Sequence, residues 1–234
     1  MAEEINLYET DPEFMERFEA FANQEVINEP GQQLDDTTRY MAILASLMGC
    51  QGVDEFKQLL PEALDSALTP VMVKEIVYQA VDYLGYGRVY PFLLATNEMM
   101  AALGIELPLE GQATTTLEDR REKGTQVQVA IFGPAMKDFW QGGHINRWLA
   151  ANCFGDYYTR TGLSLPQREI ITFCFLAAQG GCESQLTSHV AGNMKLGNNQ
   201  AFLIKVVSQC LPYIGYPRSL NAISCINKVA EKQQ

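Results

Sequence analysis

The sequence predicts an all-α protein of two tandem helical repeats without a β-sheet, and three observations carry that prediction. Apolar residues recur at helical spacing through most of the 234 residues, and no stretch alternates with period two. Glycine and proline fall between the periodic segments, where helices need stops. A six-residue pattern, Y-x-G-Y-x-R, closes two comparable helices at Tyr83 to Arg88 and again at Tyr213 to Arg218, which marks an internal duplication. The chain therefore reads as one domain: a degenerate first repeat over residues 34–103, a linker and helical segment over 104–162, and a second, site-bearing repeat over 163–231.

Taken in order, residues 12–27 suggest a helix with Phe14, Phe18, Phe21 and Val26 on one side, stopped by Pro30 and Gly31. An apolar helix from Arg39 to Met48 ends at Gly49 and Gly52. An amphipathic one follows with Val53, Phe56, Leu59, Leu60 and Leu64. Thr69 and Pro70 supply an N-cap and a first helical position for a helix to Leu84, and a last helix runs from the Gly85 turn through Leu103. Residues 105–124 are polar, a linker or exposed surface helix. The next segment carries both tryptophans, Trp140 and Trp148, with His144 and the pair Tyr157–Tyr158, rings that wall a pocket or fill the core between repeats. A hairpin over 164–196, a helix over 200–211 and a closing helix complete the second repeat.

Composition narrows the function. A net charge of −11 with no Lys/Arg cluster argues against nucleic acid, leaving small molecules and copies of the chain as expected partners. The N-terminus, MAEEINLYETD, is acidic and lacks an apolar targeting core, and no apolar run reaches membrane-spanning length. A soluble, cytoplasmic protein is the expectation. The six cysteines, at 50, 153, 174, 182, 210 and 225, show no C-x-x-C spacing, so neither a disulfide framework nor a zinc site is expected.

The chemistry concentrates between Leu163 and Val190. Pro166 fits a first helical turn, and the run that follows is apolar on nearly every side, with Glu169 the only charge past Arg168. Gly180 and Gly181 break the helix, and a second one starts at Glu183. On it Cys182, Gln185 and His189 stand at i, i+3 and i+7 and are expected on one inward face. Cys182 and His189 then lie roughly 10 Å apart along the axis, too far to touch. In an antiparallel hairpin Glu169 and His189 are offset by only about 4 to 5 Å, which makes a hydrogen bond between them feasible. In the first repeat Tyr40 takes the place of Glu169 and Leu59 or Leu60 that of His189, so that half is expected to be structural.

The stretch GLSLPQREIITFCFLAAQGGCESQLTSHVAGNMKLG, with the PYIGYPRSLNAI helix after it, resembles the carboxymuconolactone decarboxylase family, which also holds the alkylhydroperoxidase D-like proteins. The resemblance is high over the second repeat and weaker over the first. It implies an all-helical fold and ring assembly, a two-repeat chain forming a trimer. In the peroxidase-like branch a Glu, a C-x-x-C and a His form a proton relay with a redox dithiol. Glu169, Cys182 and His189 match that pattern with one extra residue before Cys182, and Gln185 stands where the second cysteine would be, so a dithiol cycle is not available. In the decarboxylase branch the Gln185 position is typically Glu. The expectation is an enzyme acting on a small acid or lactone-type substrate, with Glu169, Cys182 and His189 as catalytic candidates. Gln185, Trp148 and His144 are candidates for substrate binding, and no metal or cofactor is expected. A thiol peroxidase using Cys182 and a non-catalytic small-molecule binder are the alternatives.

Overall fold

The computed structural model describes residues 6–232, and among them there are helices and connections but no strand. The chain begins with α1 (Leu7–Thr10), α2 (Pro12–Glu19) and α3 (Val26–Asn28), the last two joined by a π-helical turn at Ala20–Glu25. Four helices follow: α4 (Asp36–Cys50), α5 (Val53–Ser66), α6 (Pro70–Leu84) and α7 (Tyr86–Ala102). After an irregular stretch come α8 (Arg120–Phe132), a 3-10 helix (Pro134–Gly142), α9 (His144–Trp148) and a second π-helix, Leu149–Tyr158. The last four are α10 (Leu165–Gln179), α11 (Glu183–Lys195), α12 (Gln200–Ile214) and α13 (Tyr216–Glu231).

Local chemistry accounts for the ends. The side chains of Asp35, Thr69 and Asn199 each accept a backbone N–H from the first turn of the helix they precede. Ser164 and Gln167 form a reciprocal capping box at the start of α10, on either side of Pro166. Gly85 and Gly215 close α6 and α12 with nearly the same positive-φ backbone, φ 81 and 78, the conformation that favours glycine. These are the glycines of the two Y-x-G-Y-x-R turns. The helix lengths also run in parallel: 15, 14, 15 and 17 residues in α4 to α7, and 15, 13, 15 and 16 in α10 to α13.

The core sits where α4 and α10 pack against each other. Every residue from Tyr40 to Gly49 and from Arg168 to Ala178 is buried, so both helices are enclosed on all sides. Each large apolar side chain there, such as Met41, Leu44, Phe173 or Phe175, contributes about 1.5–3 kcal/mol on burial. The enclosure explains why neither helix shows a polar stripe in the sequence.

The first expected helix forms continuously over 12–28 with a π-helical stretch inside it, and Phe14 is 66% exposed rather than packed with Phe18 and Phe21. The 104–162 segment does more than link. Its helix α8 packs along the second π-helix, and at Gly124 and Gly155 the two backbones approach too closely for a side chain. That contact holds the π-helix against the start of α10, and the π-helix ends in Tyr158.

Candidate functional site

Arg168 and Glu169 are adjacent in the first part of α10, both fully buried, and each meets a different set of partners. A carboxylate in such a place needs hydrogen bonds on both oxygens. Glu169 has them. Oε2 lies 2.9 Å from His189 Nδ1 across the hairpin, and Oε1 accepts a hydrogen bond of 2.8 Å from the Tyr158 hydroxyl. The Glu169–His189 contact expected from the axial offset is therefore formed.

Asn193, one turn beyond His189 on α11, fixes the hairpin. Its Nδ2 donates to the backbone carbonyls of Glu169 and of His189, both at 2.9 Å, and its Oδ1 accepts from Asn198. Between these residues Gly192 passes directly over the carboxylate, where a Cβ would sit 2.9 Å from Glu169 Oε2 and 2.7 Å from Ile131. The imidazole is held edge-on by two rings, Tyr83 at 5.5 Å and Phe132 at 5.4 Å between centroids.

Donor counting orients the network. Tyr158 has one proton and spends it on Glu169, so Thr172 Oγ1 at 2.7 Å and the Tyr83 hydroxyl at 2.9 Å both donate to the Tyr158 oxygen. Gln79 Nε2 in turn donates to Thr172 Oγ1 at 2.9 Å, and the Cys153 thiol reaches the Tyr83 oxygen at 3.7 Å. With the carboxylate as acceptor, His189 carries its proton on Nδ1 and presents a lone pair on Nε2. Burial, then the neighbouring Glu169, holds the Tyr158 hydroxyl far above its ordinary range. For Tyr83 burial leads, followed by Cys153 and then Tyr158, in the same direction. Both phenols stay neutral donors.

A second buried group lies beside the first. Arg168 Nη2 donates to Glu75 Oε2 at 2.9 Å and to the carbonyls of Arg160 and Thr161, while Nη1 donates to Gln79 Oε1 at 2.8 Å. Arg160 closes on the other face of Glu75. Burial pulls the Arg168 guanidinium down, and the bond to Glu75 opposes that pull. Glu75, Gln79 and Tyr83 stand at i, i+4 and i+8 of α6 and share one face of the helix. The first half of the chain thus supports the site through the side chains of α6.

Cys182 takes a different position. It is the N-cap residue of α11, with its thiol 3.4 Å from the Leu176 carbonyl and within reach of Gln179 Nε2 at 3.7 Å. A thiol donating to a carbonyl keeps its proton, and burial raises it further. Only the bond from Gln179 pulls the other way, so the surroundings do not favour the thiolate. Gln185 is exposed and makes no hydrogen bond among the described residues. It lies roughly 90° round the helix from the buried stripe of Leu186, His189, Val190 and Asn193, so the expected inward face does not include it. His144 and Trp148 are also exposed and face each other at 5.0 Å, on a helix that packs against the 3-10 helix and the π-helix. The structure does not bring these three to the Glu169–His189 pair.

Sequence reasoning missed the contributions of Tyr83, Thr172, Gln79, Asn193 and Phe132. Polar residues at helical spacing inside apolar helices were the available signal, since such groups need buried partners. A shallow depression of about 550 Å³, lined by Phe132, Ser188, Gly192 and Lys195, adjoins the histidine. A separate cavity lies elsewhere, among α1, α2, α4 and α5. Among the described residues no three His, Cys, Asp or Glu side chains are grouped to hold a metal ion.

Fold and site together define an all-helical protein whose helical hairpin buries a carboxylate–imidazole pair. Residues 144–228 match the model of the carboxymuconolactone decarboxylase family. The match begins at His144, inside the segment read as a linker and helical segment. A search of curated proteins finds no matching relative.

Proposed function

We propose that the chain is an enzyme acting by acid–base chemistry on a small acid or lactone-type substrate, with His189 as the base. The family match supports a carboxymuconolactone decarboxylase- or alkylhydroperoxidase-like function, and the side chains favour the first. Nε2 of His189 takes a proton from the substrate. Glu169, holding Nδ1, offsets the charge that develops on the ring, and Tyr158 keeps Glu169 from turning away.

The observation that carries this reading is the hold on both oxygens of Glu169, beside a cysteine whose thiol is turned to a carbonyl. A thiol peroxidase needs Cys182 as a thiolate. Screening wild type, His189→Ala and Cys182→Ser against 4-carboxymuconolactone, related lactones and alkyl hydroperoxides tests the proposal. Loss of turnover on the order of 10² to 10⁴ in His189→Ala, with Cys182→Ser mildly affected, is the expected result. A dead Cys182→Ser beside an active His189→Ala overturns it in favour of the peroxidase, and ligand binding without turnover in favour of the binder.

The chain works as a homotrimer in this proposal. The exposed apolar side chains of Phe139, Ile145, Trp148 and Leu149 support an interface there. Light scattering that shows a stable monomer rules the trimer out. No helix among the described residues is long and apolar enough to cross a membrane, and the six cysteines are free, which supports a reducing, cytoplasmic setting.

A further inference from the structure

A cavity of about 780 Å³ lies between the N-terminal helices and the α4–α5 hairpin, with Tyr213 of α12 also in its wall. Its position corresponds to that of the His189 site. Arg39 Nε donates to Gln209 Oε1 at 3.2 Å, as Arg168 Nη1 donates to Gln79 Oε1. Tyr40 follows Arg39 where Glu169 follows Arg168, and Tyr213 stands four residues after Gln209 as Tyr83 does after Gln79. Leu59 is the seventh residue of α5, and His189 is the seventh of α11. Around His189 the aromatic rings close in, whereas around Leu59 the space is open.

The lining selects a charge. Three carboxylates, Glu19, Glu55 and Glu62, face one cation, Arg39, which is engaged by Gln209 and lies 5.3 Å from the centre of the Tyr40 ring. Burial, with a lesser contribution from Glu19, raises the Glu55 carboxyl above its ordinary range. Burial and then Glu62 push the Tyr40 hydroxyl up to about 12, so the phenol is neutral. The floor between the acids is apolar at Ile43 and Leu59.

We propose that this cavity binds a small organic cation, an ammonium group on an aromatic or alkyl body, at a site separate from His189. Carboxylates on the walls attract the charge, and the apolar floor takes the hydrocarbon. The volume falls in the ordinary range for small-ligand sites.

Calorimetric titration of the full-length protein with benzyltrimethylammonium, and with benzoate as a probe of similar ring and opposite charge, tests the proposal. The ammonium is expected to bind at least about tenfold more tightly than benzoate. The double variant Glu55→Gln/Glu62→Gln keeps the shape and is expected to lose about tenfold in affinity. Leu59→Trp, which fills the cavity, abolishes binding, and His189→Ala leaves it unchanged. The comparison of the two probes on wild type needs no variant, so a misfolded mutant does not protect the idea. Equal binding of both probes, no binding up to about 10 mM, or loss in His189→Ala with retention in Leu59→Trp overturns it.

Discussion

Tyr83 and Tyr158 meet hydroxyl to hydroxyl at 2.9 Å, one from the end of α6 in the first half and the other from the π-helix that precedes α10. The contact makes Glu169 the shared end point of both halves, because Tyr158 donates its hydroxyl hydrogen bond to the carboxylate and accepts one from Tyr83. The first half is therefore a supporting part of the site although it lacks counterparts of Glu169 and His189.

Tyr158→Phe removes the donor to Glu169 Oε1 and leaves Thr172 and Tyr83 without their acceptor. A loss of about 1–3 kcal/mol in stability is expected, from the buried groups left unpaired. Turnover should fall with KM little changed, since the phenol positions Glu169 rather than substrate. Steady-state kinetics beside urea unfolding reads both, and Tyr83→Phe should show the weaker effect on turnover. Unaltered kinetics in Tyr158→Phe would count against its positioning role.

The Arg168–Glu75 pair predicts a larger structural cost. Both side chains are almost fully enclosed, at 0% and 1% exposure, so Glu75→Gln leaves a buried guanidinium without its counter-charge. About 3–5 kcal/mol of stability should be lost, against a fraction of that for the exposed pair Lys57–Glu98. Denaturant midpoints of Glu75→Gln and Glu98→Gln make the comparison. Equal shifts would mean that Glu75 is not a buried anchor.

Asp82 gives stability a pH dependence of its own. Burial, less the effect of a bond to Cys153, pushes its carboxyl up to about 7, and Oδ2 is buried with no hydrogen-bond partner. The folded chain then holds a proton that the unfolded chain releases near pH 4. The contribution of this group is fully present below about pH 4 and is lost as pH rises through about 7. Asp82→Asn should therefore flatten the fall in stability between about pH 4 and 7, by a few kcal/mol at most. Unfolding curves across that range decide it; an unchanged slope refutes the assignment.

Gly192→Ala tests the close approach over the site. The added Cβ meets Glu169 Oε2 and Ile131, neither of which can retreat from a packed core, so about 1–3 kcal/mol of destabilisation is expected. Activity should drop more than thermal stability implies, because the carboxylate is displaced from His189. An active, fully stable variant would show that the hairpin yields there.

The all-α class, the helix start at Thr69 and the hairpin about Gly180 and Gly181 were readable from periodicity and capping residues, which act over a few positions. The Glu169–His189 contact was readable too, because axial rise alone brings the two level in an antiparallel pair. Tertiary structure decided the rest. Tyr158, Tyr83 and Gln79 come to Glu169 and Thr172 only because the π-helix and α6 pack against α10, and no local pattern encodes that docking. Gln185 shows the same limit from the other side: spacing placed it on the face of His189, but the burial stripe follows the neighbouring helices, and a quarter turn was enough to leave it in solvent.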